Sequence, residues 1–319
     1  MITKSSRLYE SARAIYRKNR FRSLLLLFLA VIIIAPMVFP IVRDFTSTPF
    51  LKDSLPDKNP GSGVSSAPFF VALDQLGRSI GCPKDDPVAQ RVLQDYGAVF
   101  VARNVVTPSV CLFSSEDEVS RFQNDATYNS KVIGGATVEL QPLAMQALDA
   151  AIEDARQIAL KITPLSGTEA GRRSYADTVR LWKTRFERAL IHWRDRGRLS
   201  DNDVEKLRNL SIHDQVAKVL DLEKEGIFFS QDFSKSILYS ASAPGASQHI
   251  SMLAFDVVQY NNPRIRAIMA KHGWFQTVKG DVTHFTYIGV EESDLPRLGL
   301  VPVTMGSQVF WVPNLPTNN

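Results

Sequence analysis

An α+β fold is what this sequence predicts, with helices set around a few short strands. Three observations carry that prediction. Strong helical patterns run through Pro142–Lys161, Ser174–Gly197, Asp201–Lys224 and Pro263–His272. Two short segments, Leu253–Val258 and His284–Ile288, alternate or cluster apolar residues as strands do. The chain also has 319 residues, of which 45% are hydrophobic, enough to build a core and too many for a disordered chain.

From the N-terminus, Lys4, Arg7, Arg13, Arg17, Lys18, Arg20 and Arg22 stand against a single acid, Glu10. Leu24 to Val42 then form an uncharged apolar run, about the roughly 20 residues that a membrane-crossing helix needs. A signal peptide would end in a small-residue cleavage site, and the stretch around Pro36 and Pro40 has none. The expectation is a cytoplasmic tail over 1–22 and an uncleaved transmembrane anchor over 23–42, in the cytoplasmic (inner) membrane. The basic tail places the rest of the chain in the periplasm or outside the cell. Beyond Arg22 the balance is 30 basic against 32 acidic residues, so the net charge of +4 comes from the tail. Nucleic acid is excluded as a partner on that ground.

Residues 43–68 are rich in Pro, Ser, Gly and charge, including Asn59-Pro-Gly-Ser-Gly63, and read as a flexible linker. Residues 69–125 read as a small α/β subdomain of unassigned role, with helices over Asp86–Tyr96 and Glu116–Asn124 and strands over Ala98–Val101 and Val110–Phe113. The only two cysteines, Cys82 and Cys111, lie on the outward side, where a disulfide persists. A bridge between them is expected, with two buried thiols as the alternative.

Residues 126–319 hold the chemistry. Pro142 suits a first helical position, and Leu143, Ala147, Leu148, Ala151, Ile152, Ala155 and Ile158 recur at helical spacing behind it. Ser174-Tyr-Ala-Asp177 has the character of a capping box, which puts Arg173 just ahead of a helix N-terminus. Gly273 is the expected cap of the helix that ends at His272. His249 lies seven positions before Asp256, an odd separation, so it must enter from the preceding loop, Ala243-Pro-Gly-Ala-Ser247, rather than from the same strand. Lys279-Gly280-Asp281 turns the chain into the strand that begins at His284. His192 and His213 read as structural, His272 as a helix-end cation, and Phe228-Phe229 and Trp274-Phe275 as core.

Two motifs then stand out, Ser247-Gln-His249-Ile-Ser-Met-Leu-Ala254-Phe-Asp256 and Asp281-Val-Thr-His284-Phe-Thr-Tyr287-Ile-Gly289. His249, Asp256 and His284 are residue types that bind zinc, and three protein ligands leave a fourth position for water. The pattern SxHxxGxAxD followed by ExWHxxYxG resembles the VanY-type D-alanyl-D-alanine carboxypeptidases and the related VanX-type dipeptidases. Ser247, His249, Ala254 and Asp256 match the first motif, with Met252 where the family has glycine. His284, Tyr287 and Gly289 match the second, with Asp281 for glutamate and Thr283 for tryptophan. Gly171-Arg-Arg173-Ser-Tyr175 is similar to the family's GYRSY element, with Arg172 for tyrosine and Thr178 where glutamine is common. The resemblance spans roughly Gln141 to Gly289, in the family's order.

The resemblance implies a hedgehog/D,D-peptidase-like domain in which a small antiparallel sheet carries zinc on His249, Asp256 and His284. It implies a zinc metallopeptidase, a hydrolase of peptidoglycan stem peptides in the cell wall that acts as a carboxypeptidase. Asp281 takes the general-base position, with a role as a hydrogen-bonding neighbour or extra ligand as the alternative. Arg173 would stabilise the oxyanion or hold a substrate carboxylate, with Arg172 as the competing choice. Ser247 either binds substrate or shapes its loop, and Tyr287 either lines the cleft or packs in the core. The departures at Met252, Asp281 and Thr283 support an alternative reading, a non-catalytic peptidoglycan-binding or scaffold module that keeps the fold and metal. An L,D-type or endopeptidase specificity on the same site is a third.

Overall fold

The computed structural model describes residues 67–316. The expected tail, anchor and nearly all of the linker lie outside them. Among the described residues no helix is long and apolar enough to cross a membrane. The described chain begins with α1 (Pro68–Gln75), α2 (Pro87–Tyr96) and α3 (Glu116–Ala126). Asp86 caps α2 by accepting from the Val88 and Ala89 N–H groups, and Ser115 caps α3 at Glu118.

The two strands expected in this region are absent. Gly97–Val101 is a buried 3-10 turn, and Val110 makes only a single parallel bridge, to Gly81. Their β-branched and aromatic residues reflect burial, because Val99, Phe100 and Val101 fill core without a strand to pair with. Cys82 and Cys111 form the expected disulfide, with Cα atoms 5.2 Å apart. It closes a 29-residue separation, so Cys82→Ser/Cys111→Ser should lower unfolding free energy by about 3 kcal/mol, read as a fall in the denaturation midpoint.

Next comes a hairpin with no counterpart in the sequence reading, β1 (Asn129–Ile133) against β2 (Ala136–Leu140), turned by Gly134 and Gly135. Helix α4 (Pro142–Gln157) follows. Its buried stripe is Ala144, Met145, Leu148, Ala151 and Ala155, while Leu143 and Ile158 are exposed. The helix stops short of Lys161 because Ala159 turns left-handed, at φ 58°, and the Leu160 N–H bonds back to the Ala155 carbonyl. Helix α5 (Tyr175–Asp195) starts at the expected capping box, with Ser174 and Asp177 satisfying each other's backbone N–H groups.

The expected helix over Asp201–Lys224 is two helices, α6 (Asp201–Arg208) and α7 (Ile212–Lys224). Ser211 breaks it by capping α7 through the Asp214 N–H, a signal hidden inside a continuous apolar pattern. Helix α8 (Pro263–Lys271) ends as expected, with His272 at its C-cap and Gly273 at φ 76°.

At the centre lies a three-stranded antiparallel sheet in the order β3 (Ala254–Asp256), β5 (His284–Tyr287), β4 (Trp274–Phe275). The expected small antiparallel sheet within an α+β fold is therefore present. A second unforeseen hairpin, β6 (Leu300–Met305) with β7 (Gln308–Pro313), closes the described chain. One continuous core includes Phe69 and Leu93 from the first helices, Trp182, Phe186 and Phe229, and Phe255, Trp274 and Phe285 of the sheet. The Phe186 and Phe229 rings stack at 5.9 Å.

Candidate metal centre

Register places the first two candidate ligands together. Asp256 of β3 lies directly opposite His284 of β5, so their side chains share one face of the sheet. His249 arrives from a separate 3-10 turn, Gln248–Ser251, as its parity with Asp256 requires. The loop before that turn is held at Gly245, where φ is +80° and an added Cβ would sit 2.0 Å from the Phe113 carbonyl oxygen. No other residue fits there. The Gly245 N–H also donates to Thr178 Oγ1, which ties the loop to α5.

Met252 ends the turn in the left-handed region, at φ 56° and ψ 30°, fully buried. The conformation at this position suits glycine, and Met252 adopts it at a cost of roughly 1–2 kcal/mol. That departure from the resembled motif therefore leaves the backbone path intact.

His249 Nε2 and His284 Nδ1 are 3.1 Å apart, and Asp256 Oδ1 lies 3.3 Å from the first and 3.4 Å from the second. All three residues are buried. Among the described residues they are the one group of three His, Cys, Asp or Glu whose ligand atoms converge within 4.8 Å. The outer ring nitrogens are engaged elsewhere. His249 Nδ1 donates to the Gly171 carbonyl at 2.9 Å, and His284 Nε2 donates to Gln248 Oε1 at 2.7 Å.

The orientation of Gln248 follows from its own partners, since its Nε2 donates to the Tyr96 carbonyl and its Oε1 accepts from Thr277 and Thr286. Neutral imidazoles in these tautomers turn a lone pair of each inner nitrogen toward the other. Burial, and then the charge of Arg173, lower the His249 pKa to about 4, so it is neutral near pH 7. Asp256 Oδ1 adds a third acceptor, and it is buried without a hydrogen-bond partner. Its contacts with the two histidines are short, but none has hydrogen-bond alignment.

Three acceptors facing one another at this range repel unless a cation lies among them. Ligand atoms about 2.0–2.1 Å from a tetrahedral zinc stand roughly 3.3–3.4 Å from one another. The observed separations of 3.1, 3.3 and 3.4 Å match three edges of such a tetrahedron. The group can therefore hold a metal ion, and its two imidazoles and one carboxylate fit zinc.

Arg173 is brought to the site, and in an unforeseen posture. Its Nη2 donates to Asp256 Oδ2 at 2.6 Å and its Nε to the Glu169 carbonyl at 3.1 Å. It thus orients the ligand carboxylate, and among the described residues its Nη1 has no hydrogen-bond partner. Burial by itself would raise the Asp256 carboxyl, but the Arg173 guanidinium that donates to its Oδ2 opposes this, and the pKa lies well below the usual carboxylate range. Arg172 points elsewhere, to Gln123 and Glu139, with its guanidinium over the Tyr128 ring.

Asp281 is half-buried beside the group. Burial and the negative charge of Asp256 raise its pKa, and Thr283 Oγ1 donates to its Oδ1 at 3.0 Å. Ser247 is buried, and its Oγ accepts from the His249 N–H, so it shapes the turn. Tyr287 is not brought to the group. Three residues from His284 in one strand, it lies on the opposite face and packs against Trp274 at 5.4 Å.

The other histidines are structural, as expected. His192 stacks on Phe233, His213 meets Asp86 at 2.9 Å, and His272 meets Asp154 at 2.8 Å. Two contributors were missed. Gln248 fixes the His284 tautomer, and Gly171 supplies the carbonyl that fixes His249. Gly171 can come this close because an added Cβ would meet the Glu139 carbonyl oxygen at 2.9 Å. Gln248 stood inside the first motif, and a buried amide beside a ligand histidine was the available signal. No protein-family model matches the chain, and neither does any curated protein.

Proposed function

We propose that this chain is a zinc-dependent wall-peptide hydrolase, a D-alanyl-D-alanine carboxypeptidase of the VanY-like kind, held at the cytoplasmic membrane by its apolar N-terminal segment and acting outside it. The observation that carries the reading is the His249, Asp256 and His284 group, with its inward lone pairs, its tetrahedral spacing and a second carboxyl, Asp281, alongside. Zinc, when bound by these three residues, lowers the pKa of a coordinated water to about 7 and polarises a peptide carbonyl.

The protein's own groups do the rest. Asp281, with its pKa raised, receives the proton that the attacking water loses and returns it to the departing amine. Arg173 holds Asp256 in place through Nη2, and its Nη1 is available to an oxyanion or a substrate carboxylate. Gln248 and the Gly171 carbonyl keep both imidazoles in the tautomer that presents a lone pair to the metal.

The test is joint measurement of zinc content and product mass, using the purified full chain and defined muropeptides. Loss of a single alanine from a pentapeptide stem, dependent on zinc, is the expected result. Stoichiometric zinc with no cleavage of any wall peptide overturns the enzyme reading. It favours the second one, a peptidoglycan-binding module, for which the shorter Asp281 and its bond to Thr283 are the supporting observation.

A further inference from the structure

A cavity of about 540 Å³ lies apart from the metal group and contains none of its ligands. Two arginines from different segments, Arg78 after α1 and Arg103 after the 3-10 turn, converge on it. Arg78 Nη1 donates to the Phe100 carbonyl at 2.6 Å, which fixes where the guanidinium points. Among the described residues neither arginine pairs with an Asp or Glu, and Arg103 makes no side-chain hydrogen bond. Both are half-buried. Burial, and then the charge of Arg103, lower the Arg78 pKa from the usual arginine value. Two guanidiniums lining one cavity, with no carboxylate partner among the described residues, are a poor arrangement for an empty protein and a good one for binding a dianion.

The remaining lining sorts the ligand further. Gln141 is fully engaged, accepting from the Val106 N–H and donating to the Val106 and Ser251 carbonyls, so it is scaffold. Leu76, Val105, Val106 and Leu143 form apolar walls suited to a carbon skeleton. We propose that this cavity is a binding site for a dianionic oxyanion, a phosphoryl group or a dicarboxylate, carried on a small partly apolar ligand and gripped by Arg78 and Arg103. The site is independent of the metal chemistry. Gln141 nonetheless connects its wall to the Ser251 carbonyl, in the turn that carries His249.

The zinc-loaded full chain would be titrated calorimetrically with inorganic phosphate and, separately, with succinate. Saturable binding of at least one is expected, and which one binds identifies the oxyanion. Arg103→Gln should weaken it at least about tenfold, the loss of a charge-assisted pair, while Arg103→Lys retains part of it. Zinc stoichiometry should stay unchanged in both variants, which reports that they are folded. Absence of saturable binding of either probe, or undiminished binding by a zinc-loaded Arg103→Gln variant, overturns the proposal.

Discussion

His284→Ala should abolish both zinc retention and hydrolysis of wall peptides. The imidazole is one of three inward ligand atoms, and Nδ1 stands 3.1 Å from the His249 nitrogen and 3.4 Å from Asp256 Oδ1. Two ligands do not make a closed zinc site, so the metal is lost on dialysis and turnover falls to the uncatalysed background. In the metal-free protein the same substitution removes one of three mutually repelling acceptors, but also a buried ring and its bond to Gln248 Oε1. Wild-type protein should gain about 2.7 kcal/mol of stability at a zinc concentration a hundredfold above the dissociation constant, and His284→Ala should gain none. Thermal denaturation with and without zinc reads this directly. A His284→Ala protein that holds stoichiometric zinc and cleaves at the wild-type rate would sink the assignment.

Asp281→Asn should separate catalysis from binding. The substitution keeps size and the capacity to accept from Thr283 Oγ1 while removing the basic carboxylate. If Asp281 carries the proton, kcat falls by about 10²–10⁴ while zinc content stays at wild-type level. Wild-type turnover in the variant would remove Asp281 from the mechanism. In a binding module the variant would instead keep its affinity for wall fragments, with no turnover in either form.

Much of the site is legible in the sequence. Residue type together with the motif resemblance picked out His249, Asp256 and His284, and parity along the strand showed that His249 had to come from outside it. Capping chemistry placed the start of α5 and hence Arg173. Less was legible where one residue serves two ends. The resemblance implies that Arg173 faces substrate, yet Asp256 takes its Nη2, because a buried carboxylate needs a second partner for its outer oxygen. Tyr287 matched the resembled motif in sequence but stands on the far face of β5 from His284.

The sequence by itself determined the element types where the signal was local: the starts of α4, α5 and α8, the glycine stop after α8, the cysteine pair and the metal-binding residue types. Tertiary structure alone decided what depended on partners distant in the chain. Gly97–Val101 packs as a 3-10 turn that touches β5 and β7 without joining a ladder, whereas Trp274-Phe275 becomes a strand because it pairs with β5. The imidazole tautomers depend on Gly171 and Gln248, and the convergence of Arg78 and Arg103 depends on the cavity between two segments. Local periodicity records burial and backbone preference, but a pairing partner, a hydrogen-bond acceptor or an opposing charge exists only once the chain has closed on itself.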